Sequence, residues 1–258
     1  MFARKQPLDA SLSPEEAEAP PVKAASPARA GFFAAARRLL RISAFAALAL
    51  FAGLLLYDSL APPISTLMLA RWASGREARR DFAPLAKISP FLTQAVIVSE
   101  DARFCLHAGV DWRAMRSVAA SAQEGAPTRG ASTIDMQTVK NLFLWPGRSY
   151  LRKLIEIPLT LGLDLIWSKS RILEAYLNIA EWGDGIFGAE AASRLYFHKS
   201  AAALTPREAA LLAAALPNPK KRDPRSPRTA YARLAGKVLA RMRPSAAPIS
   251  CLGRAEGR

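Results

Sequence analysis

Ser89-Pro-Phe-Leu-Thr-Gln-Ala-Val-Ile-Val-Ser-Glu-Asp101 decides the fold class. Ser89 is a good N-cap, and Pro90 suits the first helical position, where no amide hydrogen is needed. The mostly apolar run from Phe91 to Val98 then carries the chain to Glu100 at the helix's C-terminal end. Outward from here the pattern stays mainly helical from about residue 61 to 243. Ser149 can cap a second helix in which Arg152 and Lys153 lie four and three residues before Glu156, near one face. Pro158 should kink or end that helix. Thr205-Pro-Arg-Glu208 is a capping box opening an Ala/Leu-rich core helix that stops before Pro217-Asn-Pro219. Few runs alternate with a strand's period, so the sheet content should be small.

The 258 residues can hold one good domain plus tails and an anchor. Residues 1–30 are rich in Ala, Pro and balanced charge, and cannot bury a core. After Arg37-Arg-Leu-Leu-Arg41 come the 16 uncharged residues from Ile42 to Tyr57. As a helix they span about 24 Å against a hydrocarbon core of about 30 Å. Extending the run from Leu39 to Leu60 closes the gap if Arg41 snorkels to the interface. A cleaved signal peptide would not have so long a leader, and a buried core helix would show a polar face. A single membrane anchor is the reading that remains, with the N-terminus cytoplasmic because the positive cluster precedes the span. The expected organisation is a disordered tail over 1–34, a transmembrane anchor over 35–60, a domain over 61–243 and a basic disordered tail over 244–258.

Lys and Arg number 36 against 21 Asp and Glu, which favours an anionic partner. Most of the excess lies in residues 220–258, with 11 basic side chains against Asp223 and Glu256. That end is either a solvated face or attracted to anionic lipid headgroups. Nucleic acid is excluded as a partner by the lack of a zinc-ligand set, an RNP-type aromatic motif or a helix-turn-helix pattern. Cys105 and Cys251 have no metal spacing, and because Cys105 reads as a small buried apolar residue beside Phe104, a disulfide between them, though possible outside the cytoplasm, is not the favoured reading. His107 and His198 have no carboxylate at ligand spacing, so no metal site is expected.

Three polar segments carry the chemistry. Glu100-Asp101 leads to Phe104, His107 and Gly109 in a stretch too irregular for a plain surface loop. Gly130-Ala-Ser-Thr133 is a small-residue turn whose free N–H groups can bind phosphate, and Gln137, Lys140 and Asn141 follow on one helical face. Arg152, Lys153 and Glu156 form the third group. Each alone reads equally well as surface polarity or ion pairing. Together, two carboxylates flanked by Lys140, Arg152 and Lys153 suit transfer of a sugar from a phosphate: one carboxylate takes a proton from the attacking hydroxyl, and the cations hold the leaving phosphates.

These segments resemble the peptidoglycan glycosyltransferases of glycosyltransferase family fifty-one, most closely the monofunctional biosynthetic branch. The pattern E-D-x-x-F-x-x-H-x-G matches Glu100, Asp101, Phe104, His107 and Gly109. The pattern G-[GA]-S-T-I-x-x-Q-x-x-K-N-L matches Gly130 to Leu142, and R-K-x-x-E matches Arg152, Lys153 and Glu156. Arg171-Ile-Leu-Glu-Ala-Tyr-Leu-Asn178 and the stretch from Gly185 to Phe197 are two further family stretches in the right order. Met136, Asp135 and Pro158 depart from the family pattern.

The resemblance implies a lysozyme-like helical lobe with a smaller membrane-associated lobe, preceded by a single transmembrane helix. Ile64, Leu67, Met68, Leu69 and Trp72 would belong to the dipping region. It implies a donor glycan on undecaprenyl pyrophosphate, lipid II as acceptor, and formation of a β-1,4 bond with inversion. Glu100 matches the general base and Glu156 the second carboxylate on the pyrophosphate side. Lys140, Arg148, Arg152 and Lys153 would clamp phosphate, while Ser132, Gln137 and Asn141 shape the site. Asp101, Phe104, His107, Gly130 and Thr133 complete the expected substrate-binding set. No organic cofactor is implied, and a divalent cation, Mg or Mn, has a place at the pyrophosphate. Membrane lipid and cell-wall synthesis or division proteins are the further partners, and the inner membrane with a periplasmic catalytic domain is the expected location. The alternatives are a catalytically silent wall-assembly protein and a lysozyme-like lytic enzyme, which would have no use for the cluster from Lys140 to Lys153.

Overall fold

A computed structural model describes residues 27–59, 64–124, 130–147, 149–242 and 249–252. The chain divides into two compact units, residues 1–48 and residues 49–258. Helix α1 runs Pro27–Ser59. Residues 27–34, expected to be disordered tail, are therefore its first turns; the earlier residues of that tail lie outside the described ones. In the first unit Leu39, Leu40, Ile42, Phe45 and Leu48 are exposed. Among the described residues, no helix is long and apolar enough to cross a membrane.

The second unit contains the remaining elements: α2 (Thr66–Ala73), β1 (Arg79–Arg80), α3 (Pro90–Glu100), α4 (Trp112–Gln123), α5 (Ile134–Phe143), α6 (Tyr150–Ile166), α7 (Lys169–Ile179), β2 (Glu181–Gly183), β3 (Ile186–Phe187), α8 (Ala189–Phe197), α9 (Pro206–Ala215) and α10 (Thr229–Arg241). Single 3-10 turns occupy Leu85–Lys87, Phe104–Leu106, Ala201–Ala203 and Ser250–Leu252. The three short strands form one sheet in the order β1-β3-β2, with β1 parallel and β2 antiparallel to β3. Mainly helical architecture with little sheet is what the sequence pattern predicts.

The caps explain where helices begin. Ser89 accepts from the Phe91 amide with Pro90 at the start of α3, and Ser149 caps α6 through the Arg152 amide. Thr205 and Glu208 make the reciprocal capping box of α9. Helix α9 is apolar all round, from Ala209 to Ala215, and is accordingly buried. It packs on α3 and α10, while α5 packs on α6 and α7. The inner face of α3 contributes Leu92, Ala95, Val96, Ile97 and Val98 to the core; burying each large aliphatic side chain favours folding by about 1.5–3 kcal/mol. Asn178 joins the small sheet region to α7: its side chain exchanges two hydrogen bonds with the Ala83 backbone at 2.9 Å.

Three expectations are corrected. Helix α6 continues through Pro158 to Ile166. The proline removes one amide, the one that would serve the Leu154 carbonyl, but buried Thr160 and Leu163 hold the second half of the helix against the core. Met68 is fully buried, so it cannot belong to a dipping surface, whereas Ile64, Leu69 and Trp72 are exposed. Finally, Cys105 and Cys251 form a disulfide with Cα atoms 5.4 Å apart. This brings Ser250–Leu252 from the expected disordered tail onto the domain, where the Ser170 hydroxyl also bonds to the Leu252 carbonyl at 2.5 Å.

A bond closing 146 residues of chain restricts the unfolded state strongly. Reduction, or Cys251→Ser, is expected to lower stability by about 2–5 kcal/mol. Thermal unfolding with and without a reductant, checked by migration on non-reducing gels, measures this; identical melting temperatures would contradict it.

Candidate active site

Glu100 is the last residue of α3, and its carboxylate accepts from two neighbours. The Gln137 amide donates to Oε2 at 3.1 Å, and the Ser99 hydroxyl lies 3.4 Å from Oε1. Burial pushes the Glu100 carboxyl above the usual carboxylate range; the Gln137 and Ser99 hydrogen bonds and the Lys140 charge oppose this, and the Asp101 charge adds to it. The carboxylate lines an open groove of about 890 Å³ whose walls include Ser132, Gln137, Arg222, Lys237 and Arg241.

Glu156 has a different setting. It is buried in α6 and held by two cations from its own helix: Arg152 Nη1 at 2.7 Å and Lys153 Nζ at 2.8 Å. The anticipated helical spacing produces both pairs. Lys153 also donates to Ser132 at 3.3 Å, joining α6 to the small-residue turn before α5. Lys140 feels both carboxylates, Glu100 and Glu156; burial lowers its ammonium, with Glu156 pulling the other way. Lys140, Asn141 and Arg152 line a second cavity of about 340 Å³ with Thr66 and Trp145. Arg148 lies outside the described residues.

Beneath these groups sits a buried support. Asp101 takes a hydrogen bond from the Ile134 amide at 3.0 Å and pairs with His107 Nε2 at 3.0 Å. Thr133 caps α5 through the Met136 amide and donates to the Gly109 carbonyl at 2.6 Å. Gly109 has φ of +73°, and a Cβ there would lie 3.0 Å from the Thr160 carbonyl, so glycine lets this loop rest on α6. Phe104 is fully buried under the Lys169 ammonium, 4.7 Å from the ring centre. Asp101, Phe104 and Thr133, expected to touch substrate, are buried, and the His107 side chain lies against Asp101. Gly130 and Ser132 stay at the groove.

Two parts of the site escaped the sequence reading. The first is the surroundings of Asp135, fully buried and paired with Lys169 at 2.8 Å, which also pairs with Asp164 at 2.6 Å. Asp101, His107 and Asp135 each place one ligand-type atom within 4.8 Å of the others. Their spacing in sequence gives no hint of this, because Asp135 arrives from another helix. Lys169 meets that charge, and burial pushes the Asp135 carboxyl up to about 7. The second is Tyr176 of α7, whose hydroxyl donates to Gln137 Oε1 at 3.2 Å. The only sequence signal was its place in the stretch from Arg171 to Asn178.

Known proteins are similar to this chain in sequence. The transglycosylase family model matches residues 66–243. The chain is 53% identical to a biosynthetic peptidoglycan transglycosylase of Agrobacterium fabrum (strain C58 / ATCC 33970) over 190 residues, 74% of this chain and 84% of the relative. It is 49% identical to the protein of that name from Rhodopseudomonas palustris (strain HaA2), over 80% of this chain and 93% of the relative. A third relative of that name, from Rhizobium meliloti (strain 1021), is 52% identical over 74% of this chain and 80% of its own length. With its matched region spanning α2 to the end of α10, the chain belongs to the transglycosylase family.

Proposed function

We propose that this enzyme polymerises lipid II into β-1,4-linked glycan strands of peptidoglycan. The observation that carries the reading is the contrast between its two carboxylates. Glu100 faces a groove, accepts hydrogen bonds and has no ion pair among the described residues, which suits a base. Glu156 is neutralised by Arg152 and Lys153 beside Lys140, as a group near a leaving diphosphate must be. The relatives named for biosynthetic peptidoglycan transglycosylation support the substrate class.

In this reading the acceptor's GlcNAc 4-hydroxyl loses its proton to Glu100 as its oxygen attacks the donor's anomeric carbon. The new C–O bond forms on the face opposite the breaking bond to phosphate, so the α linkage becomes β. Undecaprenyl pyrophosphate departs with the electron pair. Lys140, Arg152 and Lys153 stabilise the charge that develops on it, with Arg148 the further cation assigned by the family pattern. Both Glu156 oxygens are already held by cations, and a divalent ion at the pyrophosphate would add to the same charge stabilisation. The cationic cluster favours transfer over lytic cleavage, which needs a proton donor and no phosphate clamp.

Attachment to the membrane through residues 39–60 suits a substrate with a polyprenyl tail. The exposed apolar side chains of Leu39, Leu40, Ile42, Phe45 and Leu48 support it, and exposed Ile64, Leu69 and Trp72 suit a membrane-associated lobe. The disulfide supports a periplasmic domain, since such bonds persist in oxidising compartments.

Glu100→Gln is expected to reduce polymer formation from labelled lipid II by about 10²–10⁴-fold; a muramidase-sensitive ladder of undiminished intensity would overturn the assignment. Because burial raises the carboxyl and the base must be ionised, the wild-type rate should fall as pH drops through that raised value. The same burial disfavours the ionised form in the folded state, so that contribution to stability is lost as pH rises. Glu100→Gln should therefore melt no lower than wild type at alkaline pH.

Arg152→Ala leaves a buried carboxylate short of one partner and is expected to cost about 3–5 kcal/mol. Adding Glu156→Gln should recover much of the melting temperature but none of the activity. Recovery of both would show the pair to be structural only.

A further inference from the structure

Tyr176 has no part in the bond-making just described, yet its hydroxyl is two hydrogen bonds from the reacting carboxylate. It sits on α7 with 1% of its surface exposed. Its oxygen lies 3.2 Å from Gln137 Oε1, and Gln137 Nε2 lies 3.1 Å from Glu100 Oε2. The chain therefore runs from phenol to carboxamide to carboxylate, through α7, α5 and α3.

The direction of this chain follows from donor and acceptor chemistry. An ionised carboxylate only accepts, so the group facing Glu100 must donate. The Gln137 carboxamide can donate only through its NH2, which turns its carbonyl oxygen towards α7. There the phenol supplies the matching donor. Rotating the amide would set two oxygens against each other at Glu100 and leave the buried phenol proton unpaired, a costly arrangement. Burial and the Glu100 and Asp101 charges all raise the Tyr176 hydroxyl, which keeps its proton on at working pH.

We propose that Tyr176 is a positioning residue for the polymerisation reaction: it fixes the Gln137 carboxamide so that the NH2 faces Glu100 and holds that carboxylate ionised and oriented. The inference rests on the reading of Glu100 as base. No proton leaves Tyr176; its role is to select one of two amide orientations. The other groups acting on Glu100 are Ser99 and Asp101 beside it in sequence and Lys140 on α5, and none of them contacts the Gln137 carbonyl oxygen.

The test is Tyr176→Phe, which keeps the ring and removes only the donor. Rates of polymerisation of labelled lipid II by the full-length protein would be followed across pH, in wild type, Tyr176→Phe, Gln137→Ala and the double variant. Loss of the donor frees the amide to turn its oxygen to Glu100, which favours the protonated carboxyl. The expected result is a fall in kcat of about tenfold at neutral pH, the worth of one hydrogen bond, with KM little changed. The acid limb should also move to higher pH. In the Gln137→Ala background Tyr176→Phe should change nothing further, since the intermediary is gone. The position of the acid limb does not depend on how much enzyme is folded, so destabilisation alone cannot imitate the shift. An acid limb that stays in place, or two substitutions that act independently, overturns the role of Tyr176 and leaves Glu100 as base. Full activity in Glu100→Gln overturns the base assignment and this inference with it.

Discussion

One carboxylate ties the parts of the site together. Asp101 ends α3, accepts from the first amide of α5, and holds the His107 ring, all within a buried space. A helix start has amide hydrogens with no partner of their own, and a buried anion needs donors; each satisfies the other. The neighbour of Asp101 is Glu100, so fixing one carboxylate fixes the backbone from which the other projects. The Thr133 cap and Gly109, packed together at 2.6 Å, seat the same helix start against α6. The position of Gln137 relative to Glu100 follows from that seating.

The two glutamates show how one helical domain gives identical side chains opposite surroundings. Glu100 has neutral hydrogen-bond donors and little counter-charge in contact, so burial dominates and its charged form is held less firmly. Glu156 has a guanidinium and an ammonium on its oxygens. The first can exchange a proton with a hydroxyl. The second acts as the anchor of a cationic cluster whose remaining donors are available to phosphate oxygens.

What could be read in the sequence was mostly local. The caps Ser89, Ser149 and Thr205 and the spacing of Arg152, Lys153 and Glu156 work within one or two helical turns, and they stand where expected. The buried network could not be read in the same way. Lys169 and Asp135 are 34 residues apart and meet because α5 packs on α7. Tyr176 reaches Gln137 across the same contact. Phe104 and Thr133 carry the marks of a motif, but only packing shows that both are buried. Pro158 did not end its helix because a local rule about helix breaking was outweighed by tertiary burial on both sides of it.

The bond between Cys105 and Cys251 places a constraint on the order of assembly. Cys105 lies five residues beyond Glu100, and Cys251 follows the whole region shared with the family. The loop after Glu100 can therefore receive its covalent tie only after α10 has been synthesised and has emerged. Until then the site is held by packing and hydrogen bonds alone. The last step in completing this polymerase is thus a chemical one, set by the oxidant available where the chain emerges.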